Sequence, residues 1–148
     1  MEHLRIALRL AAFDPYRELA DWPPCGKAPQ TAAEAVFIGR VRGVSATGQP
    51  LQALELEHYP GMTERQLERL AAASCDAPGV HQVLVLHRIG AILPGEAIVL
   101  VSVRADRRGP AQRCAQALLE ALKHEAPFWK REWLADGRGL WVAGNTPW

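Results

Sequence analysis

The stretch VHQVLVLHRIGAILPGEAIVLVSV, residues 80–103, decides the fold. Val80 to Ile92 and Ala97 to Val103 are rich in Val, Ile and Leu, and apolar runs of this kind bounded by turn signals read as strands. Leu93-Pro94-Gly95-Glu96 between them fits a tight turn, because proline presets φ and glycine supplies the dihedrals that other residues avoid. The two runs therefore predict an antiparallel hairpin. Hairpins combined with separate helices mean an α+β fold, whereas a doubly wound parallel sheet would place a helix between successive strands.

Working outward, the segment before the hairpin predicts a helix. Thr63 is placed to cap it and Gln66 to reach back, a capping box, with Met62 and Leu67 as the accompanying hydrophobic staple. The helix runs to about Ser74. Leu51 to His58 alternates, with Leu54, Leu56 and His58 on one face, and Pro60-Gly61 turns the chain. Ala35-Val36-Phe37-Ile38 is a further strand that Gly39 to Arg42 extends, and Gly43 to Pro50 is a polar, glycine-containing mobile loop. At the start, Leu4, Ile6, Leu8 and Leu10 alternate with Arg5 and Arg9, a half-buried strand. Asp14-Pro15 is an N-cap followed by proline at the first helical position, for a short helix ending near Trp22. Residues 23–31, with three prolines and a glycine, read as a surface loop. Beyond the hairpin, Pro110 suits the first turn of a long helix with Ala111, Cys114, Ala115, Leu118 and Leu122 as its apolar stripe. Pro127 stops it. Phe128-Trp129-Lys130 is extended, and Trp141-Val142 adds a short final strand.

Composition narrows the function. At 148 residues and 49% apolar content the chain suits one domain, 1–148, with one real core. Seventeen basic against sixteen acidic side chains argue against broad binding to nucleic acid or an anionic membrane. No apolar run approaches the roughly 20 residues of a membrane span, and the first residues do not look like a signal peptide. A cytoplasmic protein is expected. Cys25, Cys75 and Cys114 are odd in number and far apart, so they are read as reduced, mostly buried thiols, with neither a disulfide framework nor a zinc site. His58, His81 and His87 lack metal-ligand spacing, so no metal and no cofactor is expected.

What remains is a set of basic clusters at element ends. Arg40 and Arg42 flank Val41 at a strand end, where side chains two apart share a face. Arg107 and Arg108 sit just ahead of a helix whose free N–H groups also attract anions. Lys123 lies in the last turn of that helix, and Lys130 and Arg131 follow the proline break. Isolated surface charges are usually solvated and idle. Three clusters in a chain of near-zero net charge suggest instead a concentrated anion site, since arginine forks match phosphate and carboxylate oxygens two at a time. Four of the five tryptophans, Trp129, Trp133, Trp141 and Trp148, crowd the C-terminal fifth. They read first as packing residues, and alternatively as a platform for a flat heterocycle or a partner's tail.

Four blocks carry a resemblance: Phe37 to Arg42, Leu54 to Met62 with its Glu-His-Tyr-Pro-Gly-Met, His87-Arg88-Ile89-Gly90 with Pro94-Gly95-Glu96, and Leu122-Lys123 to Glu132 with its Pro-Phe-Trp-Lys-Arg-Glu. In order and content they resemble the molybdopterin synthase large-subunit family. The resemblance implies an α/β hammerhead-type α+β domain, with antiparallel sheet and packed helices, that forms a homodimer. Each end of the dimer would bind a small ubiquitin-like sulfur carrier whose C-terminal Gly-Gly bears a thiocarboxylate, giving a heterotetramer. It implies a sulfurtransferase that converts a pterin substrate, cyclic pyranopterin monophosphate, to molybdopterin. Carried over by position, Lys123 and Lys130 are the catalytic candidates. Arg40, Val41, Arg42, Arg107, Arg108, Arg131 and Glu132 join them as substrate-binding candidates, with Arg107 and Arg108 donated across the dimer. Arg107 stands where the family usually has histidine, which keeps a positive charge but removes a group able to titrate near neutrality. Gly109-Pro110 departs from the small, helix-favouring residues usual there. The alternative is a binding module that docks a Gly-Gly tail and catalyses nothing.

Overall fold

The computed structural model describes residues 3–24 and 31–142. Two four-stranded sheets organise them. In the first, β1 (His3–Arg9), β4 (Val80–Arg88), β6 (Ala97–Ala105) and β2 (Ala33–Arg40) lie in that order. In the second, the order is β5 (Gly90–Ile92), β3 (Leu51–Glu57), β7 (Trp129–Leu134) and β8 (Gly139–Val142). Every pairing is antiparallel except β1 with β4. Three helices lie among the described residues: α1 (Pro15–Asp21), α2 (Met62–Ser74) and α3 (Arg108–Glu125). The expected α+β, hammerhead-type architecture is what the chain adopts.

The near-continuous apolar character of β4 and β6 follows from burial on both faces. Val83, Val85, Val99, Val101 and Val103 face α2 and α3, against Leu67, Ala71, Leu118 and Leu122. Their alternates Leu84, Leu86 and Leu100 pack on the other face with Trp22, Phe13 and Leu19 from the α1 region. A separate cluster of Val41, Leu51, Leu56, Ile92 and Leu134 fills the second sheet, and Ile98 and Phe128 touch both it and the α2/α3 core.

The hairpin forms as expected, from Val80 opposite Ala105 to His87 opposite Val99, but the run 80–92 is not one strand. It breaks at Ile89, and Gly90 to Ile92 crosses to the second sheet beside β3. Gly90 has φ 77°, and a Cβ there would lie 2.8 Å from Leu10 Cδ1. Arg88, buried at the break, donates through Nη2 to the carbonyls of Leu10 and Ala91 at 3.2 and 3.1 Å and so ties the two sheets together.

Asp14 caps α1 by accepting from the Tyr16 amide at 3.0 Å, as its position predicts. The capping box at Thr63 does not form. Gly61, with φ 81°, is the N-cap, so the helix begins two residues earlier than expected, and Thr63 lies inside it fully buried. The Thr63 hydroxyl accepts from the Tyr59 amide at 3.1 Å instead. The 43–50 segment is a closed turn: Ser45 is buried and its Oγ accepts from the amides of Thr47 and Gln49.

The expectation of free thiols is also corrected. Cys75 at the α2 C-cap and Cys114 in α3 are joined by a disulfide, with Cα atoms 4.9 Å apart. The 39-residue separation hid the pair, which meets only because α2 and α3 lie side by side on one face of the first sheet. Cys25 and Trp148 lie outside the described residues.

Candidate active site

The lysines come together where α3 ends. The Ala126 amide still bonds to the Leu122 carbonyl at 3.3 Å, Pro127 prevents another turn, and β7 starts at Trp129. Along β7 the side chains alternate. Leu134 is buried, which puts Lys130 and Glu132 on the same inner face, with Lys130 in register with Leu56 and Val142. Burial holds the Lys130 amine below the ordinary lysine range, and the nearby charge of Lys123 lowers it further. A lysine pushed this way is more available as a neutral base.

Near Lys130 is a histidine not counted among the candidate site residues. His87, at the end of β4, is buried and stacks on Phe128 with ring centroids 4.3 Å apart and planes 18° from parallel. Its Nδ1 lies 2.8 Å from the Arg88 carbonyl, which can only accept, so Nδ1 carries the hydrogen and Nε2 the lone pair. Burial lowers its pKa from 6.5 to about 4, the carbonyl bond opposes that shift, and Lys130 adds to it. A neutral imidazole therefore neighbours Lys130 at neutral pH. Its only signal in sequence is its place in the His-Arg-Ile-Gly block.

The strand-end arginines share this end of the first sheet, since Arg40 is opposite Ala97 and His87 opposite Val99. Alternation persists past the end of β2, with Val41 buried between exposed Arg40 and Arg42. Val41 holds the segment to the hairpin turn: its amide donates to the Glu96 carbonyl at 3.0 Å and its carbonyl accepts from the Gly95 amide at 2.8 Å. Arg40 Nη1 donates to the Gly95 carbonyl at 3.2 Å.

Arg107 and Arg108 are elsewhere. They stand at the opposite end of α3, about 22 Å from Lys123 along the helix at 1.5 Å per residue. There they line a cleft of about 540 Å³ with Ala32, Ala33, Gly109, Pro110 and Arg113. Arg107 is exposed and 3.5 Å from the Asp106 carboxylate. Arg131 is not brought to Lys130 either. It lies on the outer face of β7, its guanidinium carbon 4.0 Å from the Trp141 ring centroid and 5.2 Å from that of Trp133. Trp129, also turned outward, meets Tyr59 edge-on at 4.8 Å.

These features define an α+β protein whose polar chemistry is concentrated in cationic side chains at element ends, in two separated groups. A family model described as "MoaE protein" matches residues 11–125. The chain belongs to the MoaE protein family. It is 43% identical over 114 residues to a molybdopterin synthase catalytic subunit of Ralstonia nicotianae, an alignment covering 77% of this chain and 64% of that protein. Among solved structures it is similar to a molybdopterin biosynthesis MoaE protein of Burkholderia ambifaria (TM-score 0.75, 39% identity, 99% of this chain and 92% of the other). It is also similar to a chain in the complex of subunits 1 and 2 of molybdopterin-converting factor from Helicobacter pylori 26695 (TM-score 0.69, 25% identity, 94% of this chain and 89% of the other).

Proposed function

We propose that the chain is a catalytic subunit that converts cyclic pyranopterin monophosphate to molybdopterin with sulfur from a small partner's C-terminal thiocarboxylate. The observation that carries this reading is the meeting of Lys123 and Lys130 across the Pro127 break, with Lys130 held below its usual pKa. The thiocarboxylate sulfur gives its electron pair to an oxygen-bearing carbon of the pterin side chain, and a C–S bond forms as a C–O bond there breaks; at one carbon the cyclic phosphate opens and stays on as a monoester, and at the other the oxygen leaves as water. Water then adds to the acyl carbon of the tail and the acyl–sulfur bond breaks. Sulfur stays on the pterin, the tail leaves as a carboxylate, and a second tail repeats the sequence to complete the dithiolene. Lys123 stabilises the oxyanion of the tetrahedral acyl intermediate. Lys130 binds the tail or substrate and accepts the proton from the attacking water.

The phosphate needs more cations than the strand-end arginines that one chain brings to the end of the fold holding the lysines. Arg107 and Arg108 lie a helix length away. The reading therefore requires a homodimer in which they serve the other protomer's lysine pair, alongside Arg42. It treats residues 1–148 as one domain acting in the cytoplasm. No helix among the described residues is long and apolar enough to cross a membrane.

Mixed dimers test this directly. With substrate well below the wild-type KM, Lys123→Ala homodimers should lose dithiolene formation and Arg108→Ala homodimers most of it, each while still binding the small subunit. Co-refolded, they should regain activity, because each mixed dimer keeps one site with both residues intact. No recovery in verified mixed dimers would overturn the shared site, and near-normal turnover by Lys123→Ala would overturn the lysine assignment.

A further inference from the structure

The cleft at the start of α3 holds a third arginine. Arg113 lies one helical turn beyond Gly109, and both line the cleft with Arg107 and Arg108. Its guanidinium rests over the glycine. A Cβ on Gly109 would lie 2.9 Å from Arg113 Nη1, 3.2 Å from Nη2 and 3.4 Å from Cζ. The missing side chain is thus the space that the guanidinium occupies. Gly109 does not have a positive φ, so the backbone does not demand glycine there. Glycine is a poor helix former, and alanine would favour the helix more.

Charge points the same way. The first turn of α3 contains no acidic residue, and the cap side chain makes no capping hydrogen bond. Asp106 pairs with Arg107 at 3.5 Å, so that among the described residues three guanidinium groups surround one cleft with one such carboxylate partner. Like charges gathered at the positive end of a helix repel one another and the helix dipole. An anion in the cleft reverses both terms.

We propose that Arg113 is a third ligand for the substrate phosphate and that Gly109 is the residue that admits its guanidinium to the cleft. The inference rests on the reading of Arg107 and Arg108 given above and extends it to two residues outside the family blocks. It makes the cleft a three-fork phosphate clamp, with Arg113 reaching over the helix start from one turn further along.

The test uses the assembled complex with its thiocarboxylated small subunit, measuring kcat and KM for cyclic pyranopterin monophosphate and the inhibition constant of inorganic phosphate. Losing one charge-assisted hydrogen bond predicts roughly a tenfold rise in KM and in the phosphate constant for Arg113→Ala, with kcat within about twofold. Arg113→Lys should recover part of the loss. Gly109→Ala should raise KM about threefold or more while its thermal midpoint holds or rises, so the effect cannot come from unfolding. If Arg108→Ala raises KM but neither Arg113→Ala nor Gly109→Ala does, this proposal is overturned and the shared site stands. If Arg108→Ala leaves KM unmoved as well, the phosphate reading of the whole cleft is overturned, and this proposal with it.

Discussion

Acidification should destabilise the protein through His87, and the size of the effect follows from its surroundings. The ring is buried against Phe128, donates from Nδ1 to the Arg88 carbonyl and has a pKa of about 4 rather than 6.5. The folded state thus binds the proton less readily than the unfolded chain. Stability from this group is fully present above pH 6.5, falls as the pH drops, and levels off below about 4. A gap of this size, at 1.36 kcal/mol per pKa unit, corresponds to about 3 kcal/mol. That is a large share of the 5–15 kcal/mol typical of a domain, taken as roughly that range. Urea unfolding of wild type and His87→Gln between pH 7.5 and 4, roughly the window of the shift, measures it. Asp136, whose carboxyl is held low chiefly by its hydrogen bond from the Arg138 amide, also loses stability in acid but is common to both proteins. The difference between them should therefore shrink by about 3 kcal/mol across the window. A difference that stays constant would refute the claim that His87 is buried neutral.

Two further outcomes are expected. Titration of the denatured protein should find one reactive thiol before reduction and three after, because Cys75 and Cys114 are paired and Cys25 is the remaining cysteine. Reduction should lower the unfolding free energy by about 3–4 kcal/mol, the loop-closure value for a crosslink of this span; three thiols without reductant would contradict the pairing. Replacing Lys123 with methionine removes the charge that helps depress Lys130, so the Lys130 amine should titrate at higher pH than in wild type. Competitive labelling with acetic anhydride across a pH series reads that midpoint, and an unmoved midpoint would show that burial alone sets it.

Much of the fold is written in local pattern. The apolar runs of β4 and β6, the stripe of α3 and the Asp14 cap each depend on neighbours within a few residues, and each forms as the sequence implies. Most of the failures are non-local. Nothing near Ile89 says that the chain changes sheets, because the reasons are Leu10 against Gly90 and the Arg88 bonds to Leu10 and Ala91. The capping box at Thr63 loses to a competitor four residues upstream, the Tyr59 amide, once Gly61 opens the helix. The Cys75–Cys114 pair depends on how two helices lie on a sheet. For the site, residue type was legible and position only in part. Lys123 and Lys130 read as basic residues near a helix end, while their proximity needs Phe128 anchored in both cores. Arg131 is the reverse case. The two-residue period of a strand already sets it opposite to Lys130, and Trp133 and Trp141 take it up on the outer face.

The separation of the two cationic groups bears on how the proposed site works. Within one chain, Lys130 is depressed by burial and by Lys123 alone, because Arg107 and Arg108 are a helix length away. In the proposed dimer the partner's guanidinium groups approach and disfavour its protonated form further. Arrival of the substrate phosphate then offsets those charges, which raises the amine's proton affinity at the step that generates a proton from water. A chain with all its cations at one end would hold that repulsion in every folded monomer. Dividing them between the ends of α3 confines it to the assembled dimer, where the substrate anion can relieve it.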